Sequence, residues 1–190
     1  MALVYLVRHG ESEANALGIL TDSLEGYPLP AKGVEEVKAM SVQLSRFSFD
    51  RIVSSPVLRA RQSAAIISDA LRNPVEIDDR IRESSMGGYN NRKYFELPAG
   101  GRVEKGLESW DSMTSRMLDF AESLDGRVIA VTHQITIRVL LAHYLGIGEL
   151  ESYGIDISRA SVSVADTKSG RIYAVGSRRF LIDFANEGKR

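Results

Sequence analysis

Three short segments, far apart in the chain, hold residues able to act together on a phosphoryl group. The first is Arg8-His9-Gly10-Glu11-Ser12, with Asn15 three residues further on. An imidazole that attacks phosphorus needs one unprotonated ring nitrogen, and the phosphoryl oxygens need cationic or N–H donors. His9 can supply the imidazole. The Arg8 guanidinium presents a planar fork that suits those oxygens, and Gly10 lets backbone approach without a Cβ in the way. The second segment is SSPVLRARQSA, Ser54 to Ala64. Arg59 falls near the start of a helix there, where free backbone N–H groups already favour an anion. Arg61 is read as a solvated residue or a surface ion-pair partner. The third segment is Val131-Thr132-His133-Gln134, whose histidine could donate to a phosphoryl oxygen. Positive charge around His9 disfavours an imidazolium, so the nucleophile would stay neutral.

Such residues need a frame that brings them together, and the chain alternates between strand-like and helix-like segments. Ala2 to Val7 is a buried strand, with Arg8, His9 and Gly10 just past its end. Residues 31–47 carry Val34, Val37, Met40, Leu44 and Phe47 at helical spacing. Ile52 and Val53 read as a second strand. Pro56 is expected in the first turn of a helix that Asn73-Pro74 stops after Leu71. Residues 86–106 hold five glycines, one proline and two asparagines, which reads as a loop or mobile cap. Helical periodicity returns over 107–124, and Arg127 to Thr132 is another buried strand. Thr136 to Leu145 is a helix ended by Gly146. Short strands are expected near Ser161–Ala165 and Ile172–Val175, with a further strand or tail at Phe180 to Phe184. This alternation argues an α/β fold with a largely parallel sheet. His9 and His133 each follow a buried strand and precede a helix, the position at which parallel sheets bind ligands.

The bulk properties narrow the partners. The chain has 190 residues, enough for one domain with an inserted cap. A formal net charge of −1 gives no overall basic field for nucleic acid. There are no cysteines, which removes disulfides, zinc–thiolate sites and a thiol nucleophile. No stretch approaches the roughly 20 apolar residues of a membrane helix. The N-terminal apolar run lacks the length and cleavage site of a signal peptide, so a cytoplasmic location is expected. Asp78, Asp79 and Asp156 read as turn residues with no metal spacing. His143, mid-helix among apolar residues, reads as a packing or surface residue.

Taken in order, LVRHGES with Asn15, SSPVLRARQSA, the acidic Arg82-Glu83 with Gly87 beyond it, and VTH resemble the histidine phosphatase superfamily, the phosphoglycerate mutase-like family of branch 1. The match runs from residue 3 to about 145. Three separated motifs in the right order are far more specific than the tripeptide Arg8-His9-Gly10 alone. The resemblance implies a three-layer α/β sandwich, with a mostly parallel central sheet flanked by helices and a small cap at about 84–106. It also implies roles. His9 becomes phosphohistidine. Arg8, Arg59 and His133 bind the phosphoryl group. Glu83 protonates the leaving oxygen and then activates water. Ser12, Asn15 and Gln134 border the phosphate pocket. The chain departs from the family pattern where Gln134 replaces a common glycine and where Asn90-Asn91 follow Gly87-Gly88-Tyr89.

The expected activity is that of a metal-independent phosphomonoesterase without a cofactor, acting on a small phosphorylated substrate. The alternative is a phosphoglycerate mutase, primed by 2,3-bisphosphoglycerate. A mutase must exclude water and grip two anionic groups, which asks for basic residues in a closing cap. Compactness favours hydrolysis. A non-catalytic phosphate-binding module ranks below both, because every expected phosphate ligand is present. The cap residues Tyr89, Asn90, Arg92, Lys93 and Tyr94 are the expected specificity determinants, and Arg102 and Lys105 could reach a second anionic group. The sequence leaves monomer and homodimer equally open.

Overall fold

A strand whose side chains are apolar on both faces can only be stable between two layers, and Ala2–Arg8 is such a strand. In the computed structural model, which describes residues 2–179, it forms β1, at the centre of a six-stranded sheet. The other strands of that sheet are β3 (Arg51–Ser54), β4 (Val75–Ile77), β6 (Gly126–Thr132), β7 (Val162–Asp166) and β8 (Arg171–Ser177). The order is β4-β3-β6-β1-β7-β8. The first four run parallel, and β7 and β8 are added antiparallel.

Successive side chains of β1 point to opposite faces, and each face finds its own helices. Ala2, Val4 and Leu6 pack with Met113, Met117 and Phe120 of α4 (Trp110–Glu122) and with Ile137, Leu140 and Leu141 of α5 (Gln134–Leu145). Leu3, Tyr5 and Val7 pack with Val37, Met40 and Leu44 of α2 (Ala31–Leu44) and with Ala60, Ala64 and Ile67 of α3 (Leu58–Leu71). Each fully buried aliphatic side chain contributes about 1.5–3 kcal/mol. The three-layer α/β sandwich is therefore held by two separate apolar layers, one on each side of the sheet.

The sequence reading differs from the structure mainly at element ends. Helix α2 stops at Leu44, yet Phe47 still packs against the core from the following turn. Pro56 precedes the cap residue Val57 and lies outside the helix. Helix α5 begins at Gln134, two residues early, which makes His133 its N-cap. Strand β4 was not expected. It has three residues, largely exposed at the sheet edge, and so leaves no apolar run to read. The strand or tail expected at Phe180 to Phe184 lies outside the described residues.

The loop-rich segment 84–106 is more ordered than its composition suggests. It contains β5 (Arg92–Lys93), which pairs antiparallel with β2 (Ile19–Leu20), and 3-10 turns at Gly87–Tyr89 and Tyr94–Glu96. Asn91 N–H donates to Leu20 O at 2.8 Å and Tyr94 N–H to Gly18 O at 3.0 Å. The cap is thus stitched to the chain that follows α1 (Glu13–Leu17).

Candidate active site

The register of one parallel strand pair builds the centre of the site. Arg8 of β1 lies opposite Thr132 of β6, so the next residue of each strand is a histidine. His9 N–H donates to Thr132 O at 3.0 Å, and the two imidazole centroids stand 5.2 Å apart. Both rings are almost completely buried, at 2% and 0% exposure.

Each imidazole has its tautomer set by a neighbour. His9 Nδ1 is 2.7 Å from Gly10 O, and a carbonyl only accepts, so Nδ1 carries the proton and Nε2 keeps its lone pair. His133 Nε2 is 2.8 Å from Ser55 Oγ. Its Nδ1 lies 3.3 Å from Glu83 Oε2, an acceptor, which favours the proton on Nδ1 and leaves Nε2 to accept from the Ser55 hydroxyl. Burial foremost, then the guanidinium of Arg59, holds both histidines well below the usual histidine range. Two neutral imidazoles result, His9 with an unprotonated Nε2 turned to Arg59 and His133 with Nδ1 turned to Glu83.

Arg59 reaches the centre from the second residue of α3 and is 3% exposed. Its Nε donates to His9 Nε2 at 3.2 Å, and its Nη2 to Thr21 O at 3.0 Å and to Glu83 Oε2 at 3.3 Å. Arg8 is anchored by Nη1 on Ile157 O at 2.7 Å. Burial lowers its pKa to about 10, which still leaves it a cation at neutral pH. Glu83 Oε1 accepts from Ser84 N–H at 3.0 Å, and Oε2 lies 3.3 Å from His133 Nδ1 without the alignment of a hydrogen bond. Arg8 Nε, Arg59 Nη1 and His133 Nδ1 are all buried without a hydrogen-bond partner. An unmet buried donor costs about 1–3 kcal/mol. Three of them on residues flanking one imidazole call for a ligand rich in acceptor oxygens.

The segments named from sequence converge on one cleft. Arg8, His9, Asn15, Arg59, Glu83 and Gln134 line it. Ser12 does not. It is fully buried, and its hydroxyl accepts from Asn15 N–H as the N-cap of α1. Gly10 also behaves differently from the expectation, since the backbone it admits is that of α2. A Cβ on Gly10 would stand 2.4 Å from Gly33 O. Arg61 turns away and pairs with Glu25.

Of the expected specificity residues, only Tyr94 lines this cleft. Tyr89 and Arg92 border a separate shallow concavity. Asn90 bonds Asp22 N–H and Ser23, and Lys93 Nζ donates to Leu17 O at 2.6 Å. Arg92 and Lys93 lie on the short β2–β5 ribbon, and neither enters the cleft lining. In their place come Arg102, Arg138 and Tyr153. Arg138 is 8% exposed, donates to Ile155 O at 3.0 Å, and lies over the Tyr153 ring at 5.2 Å. The sequence carried a signal for it: a lone arginine in the apolar helix 134–145, one turn after Gln134 and so on the same face. Ser55 was legible as part of its segment, but its hold on His133 was not. Among the described residues, no three His, Asp or Glu side chains gather as a metal ion requires. No helix among them is long and apolar enough to cross a membrane.

Comparison with known proteins agrees with this geometry. The profile of the histidine phosphatase superfamily (branch 1) matches residues 4–178. A curated 2,3-bisphosphoglycerate-dependent phosphoglycerate mutase of Thermoplasma acidophilum is 34% identical over 186 residues, covering 93% of each chain. Among solved structures, the alpha-ribazole phosphatase of Shigella flexneri superposes with a TM-score of 0.79 at 20% identity, covering 95% of this chain and 99% of that one. The phosphoserine phosphatase of Entamoeba histolytica superposes with a TM-score of 0.77 at 19% identity, covering 93% and 96%. These last two are likenesses of fold.

Proposed function

This chain belongs to the histidine phosphatase superfamily (branch 1), and from that premise we propose that it hydrolyses small phosphate monoesters through a phosphohistidine at His9. The observation that carries the reading is the lone pair of His9 Nε2, held 3.2 Å from the Arg59 guanidinium, which itself touches Glu83 at 3.3 Å. Nucleophile, anion ligand and acid thus occupy one cleft. In the first half-reaction Nε2 attacks phosphorus as the ester P–O bond breaks. Arg8, Arg59 and His133 Nδ1–H bind the phosphoryl oxygens, and protonated Glu83 gives its proton to the departing alcohol oxygen. In the second half, water attacks phosphorus and yields a proton to the Glu83 carboxylate. The P–N bond breaks and inorganic phosphate leaves. The residues ask for no cofactor in either half. A cleft of about 180 Å³ is smaller than the roughly 300–1,000 Å³ that holds drug-sized ligands, which supports a small ester.

Mutase chemistry is the second reading, and two observations favour it. Arg102 and Arg138 add two guanidiniums to the cleft beyond the pair beside His9. The curated relative named as a mutase is also matched over 93% of its length, so compactness no longer argues for hydrolysis. In this reading a bound sugar-acid hydroxyl replaces water as acceptor, and 2,3-bisphosphoglycerate serves as primer.

One experiment addresses both. Wild type and His9→Ala are incubated with a panel of phosphate esters, including 3-phosphoglycerate with and without 2,3-bisphosphoglycerate. Acid-labile protein phosphate, free phosphate and isomerised product are followed. Wild type should trap acid-labile phosphate, and His9→Ala should trap none and lose about 10³-fold or more in kcat/KM. Retained turnover in His9→Ala would sink the proposal. Primer-dependent isomerisation faster than phosphate release would select the mutase.

A further inference from the structure

Glu83 stands in irregular backbone, between the 3-10 turn Asp79–Ile81 and the cap, and no regular element holds it. What grips this backbone is Arg116 of α4. Its Nη1 donates to Arg80 O at 2.6 Å and to Arg82 O at 2.9 Å, the second being the carbonyl joined to Glu83 N. Its Nε and Nη2 donate to Glu108 Oε1 at 2.8 Å and Oε2 at 3.0 Å. Glu108 in turn holds the far side of the acid: its Oε2 accepts from Ser85 N–H at 3.1 Å, and its own N–H donates to Ser85 O at 3.0 Å. The Arg116 and Glu108 side chains are only 10% and 6% exposed.

A buried ion pair is poor evidence of stability, because well-packed apolar residues of the same volume often do as well or better. An apolar pair could not bind carbonyls and N–H groups on both sides of Glu83. We propose that Arg116 and Glu108 are positioning residues that fix the Glu83 carboxylate at the distance proton transfer requires. The backbone of Glu108 also ties in the cap, its carbonyl accepting from Arg102 Nε at 2.8 Å. The proposal rests on the reading of His9 and Glu83 given above.

A general acid matters for a basic leaving group and hardly at all for an acidic one. Rapid-quench formation of phosphohistidine is therefore compared for glycerol phosphate and p-nitrophenyl phosphate. The proteins are wild type, Glu83→Gln, Arg116→Met, Glu108→Gln and the double variant Arg116→Met/Glu83→Gln. Arg116→Met and Glu108→Gln should slow the glycerol ester by about 10- to 100-fold and the nitrophenyl ester by no more than about threefold. The double variant should be no slower than Glu83→Gln, because both changes remove one function. Equal losses on the two esters, or additive losses in the double variant, overturn the positioning role. Glu108→Gln keeps the side-chain volume and carries the same comparison if Arg116→Met fails to fold. A wild type that forms no phosphohistidine overturns the underlying mechanism as well.

Discussion

His9 and His133 face each other with ring centroids 5.2 Å apart, both buried and beside two guanidiniums. Burial and the neighbouring Arg59 push both well below the ordinary histidine range, so both stay neutral where free histidine begins to charge. This has a sign for stability. Below about pH 6.5 the unfolded chain binds protons at these positions and the folded chain does not. Folding free energy should therefore fall as pH drops from 6.5 toward 5, by about 1.4 kcal/mol per pH unit for each histidine. Urea unfolding of wild type and His9→Ala at pH 5, 6, 7 and 8 checks this: the variant should show a shallower slope below 6.5, by the share of one histidine. Equal slopes would mean that His9 charges in the folded state. That these two histidines stand at neighbouring strand ends was legible in the sequence, because each directly follows a buried apolar run. Their tautomers were not, since these depend on which atoms the folded chain sets beside each ring nitrogen.

At the scale of elements, the site follows from how β1 and β6 pair and how α2 presses on the loop after β1. The pairing Arg8↔Thr132 sets the two histidines side by side. The pressing explains Gly33, in the first turn of α2: a Cβ there would stand 2.0 Å from Glu11 O. In an open helix, replacing Gly by Ala gains about 1 kcal/mol. Gly33→Ala should instead lose about 1–3 kcal/mol, because backbone must move to admit the methyl group. It should also slow phosphohistidine formation, since the displaced chain is the one carrying His9. A denaturant midpoint equal to or above that of wild type would refute the close contact. The elements themselves were legible wherever an apolar run or a helical stripe was long. The short ones, β2, β4 and β5, were not, since two or three residues show no period.

For the whole molecule, the question is how the cap meets the body. Composition marked 84–106 as a loop but said nothing of which side chains turn inward. Arg92 pairs with Glu96 at 3.3 Å outside the cleft, and Arg102 lines the cleft with its Nε on Glu108 O. Arg102→Ala should therefore raise KM for the preferred ester about tenfold or more, as loss of a charged hydrogen-bond donor does. Arg92→Ala should stay within about twofold of wild type, as loss of an exposed ion pair does. Steady-state kinetics on the two variants decides this, and the reverse ranking would place the second substrate group on the other side of the ribbon.

The sequence by itself determined the fold class, the family and several of the residues that meet in the cleft. Those properties are written in local features: apolar runs, helical periods, and residue types directly after a strand. Tertiary structure alone decided which imidazole nitrogen is free, that Gly10 answers to Gly33, that Arg138 and Arg102 enter the cleft while Arg92 leaves it, and that Arg116 and Glu108 grip the backbone on either side of Glu83. Most of those facts are contacts between groups far apart in the chain, and Gly10 O beside His9 Nδ1 depends on the backbone conformation after β1. Such distances are set by strand register and by the packing of helices across the sheet, and neither leaves a pattern along the chain.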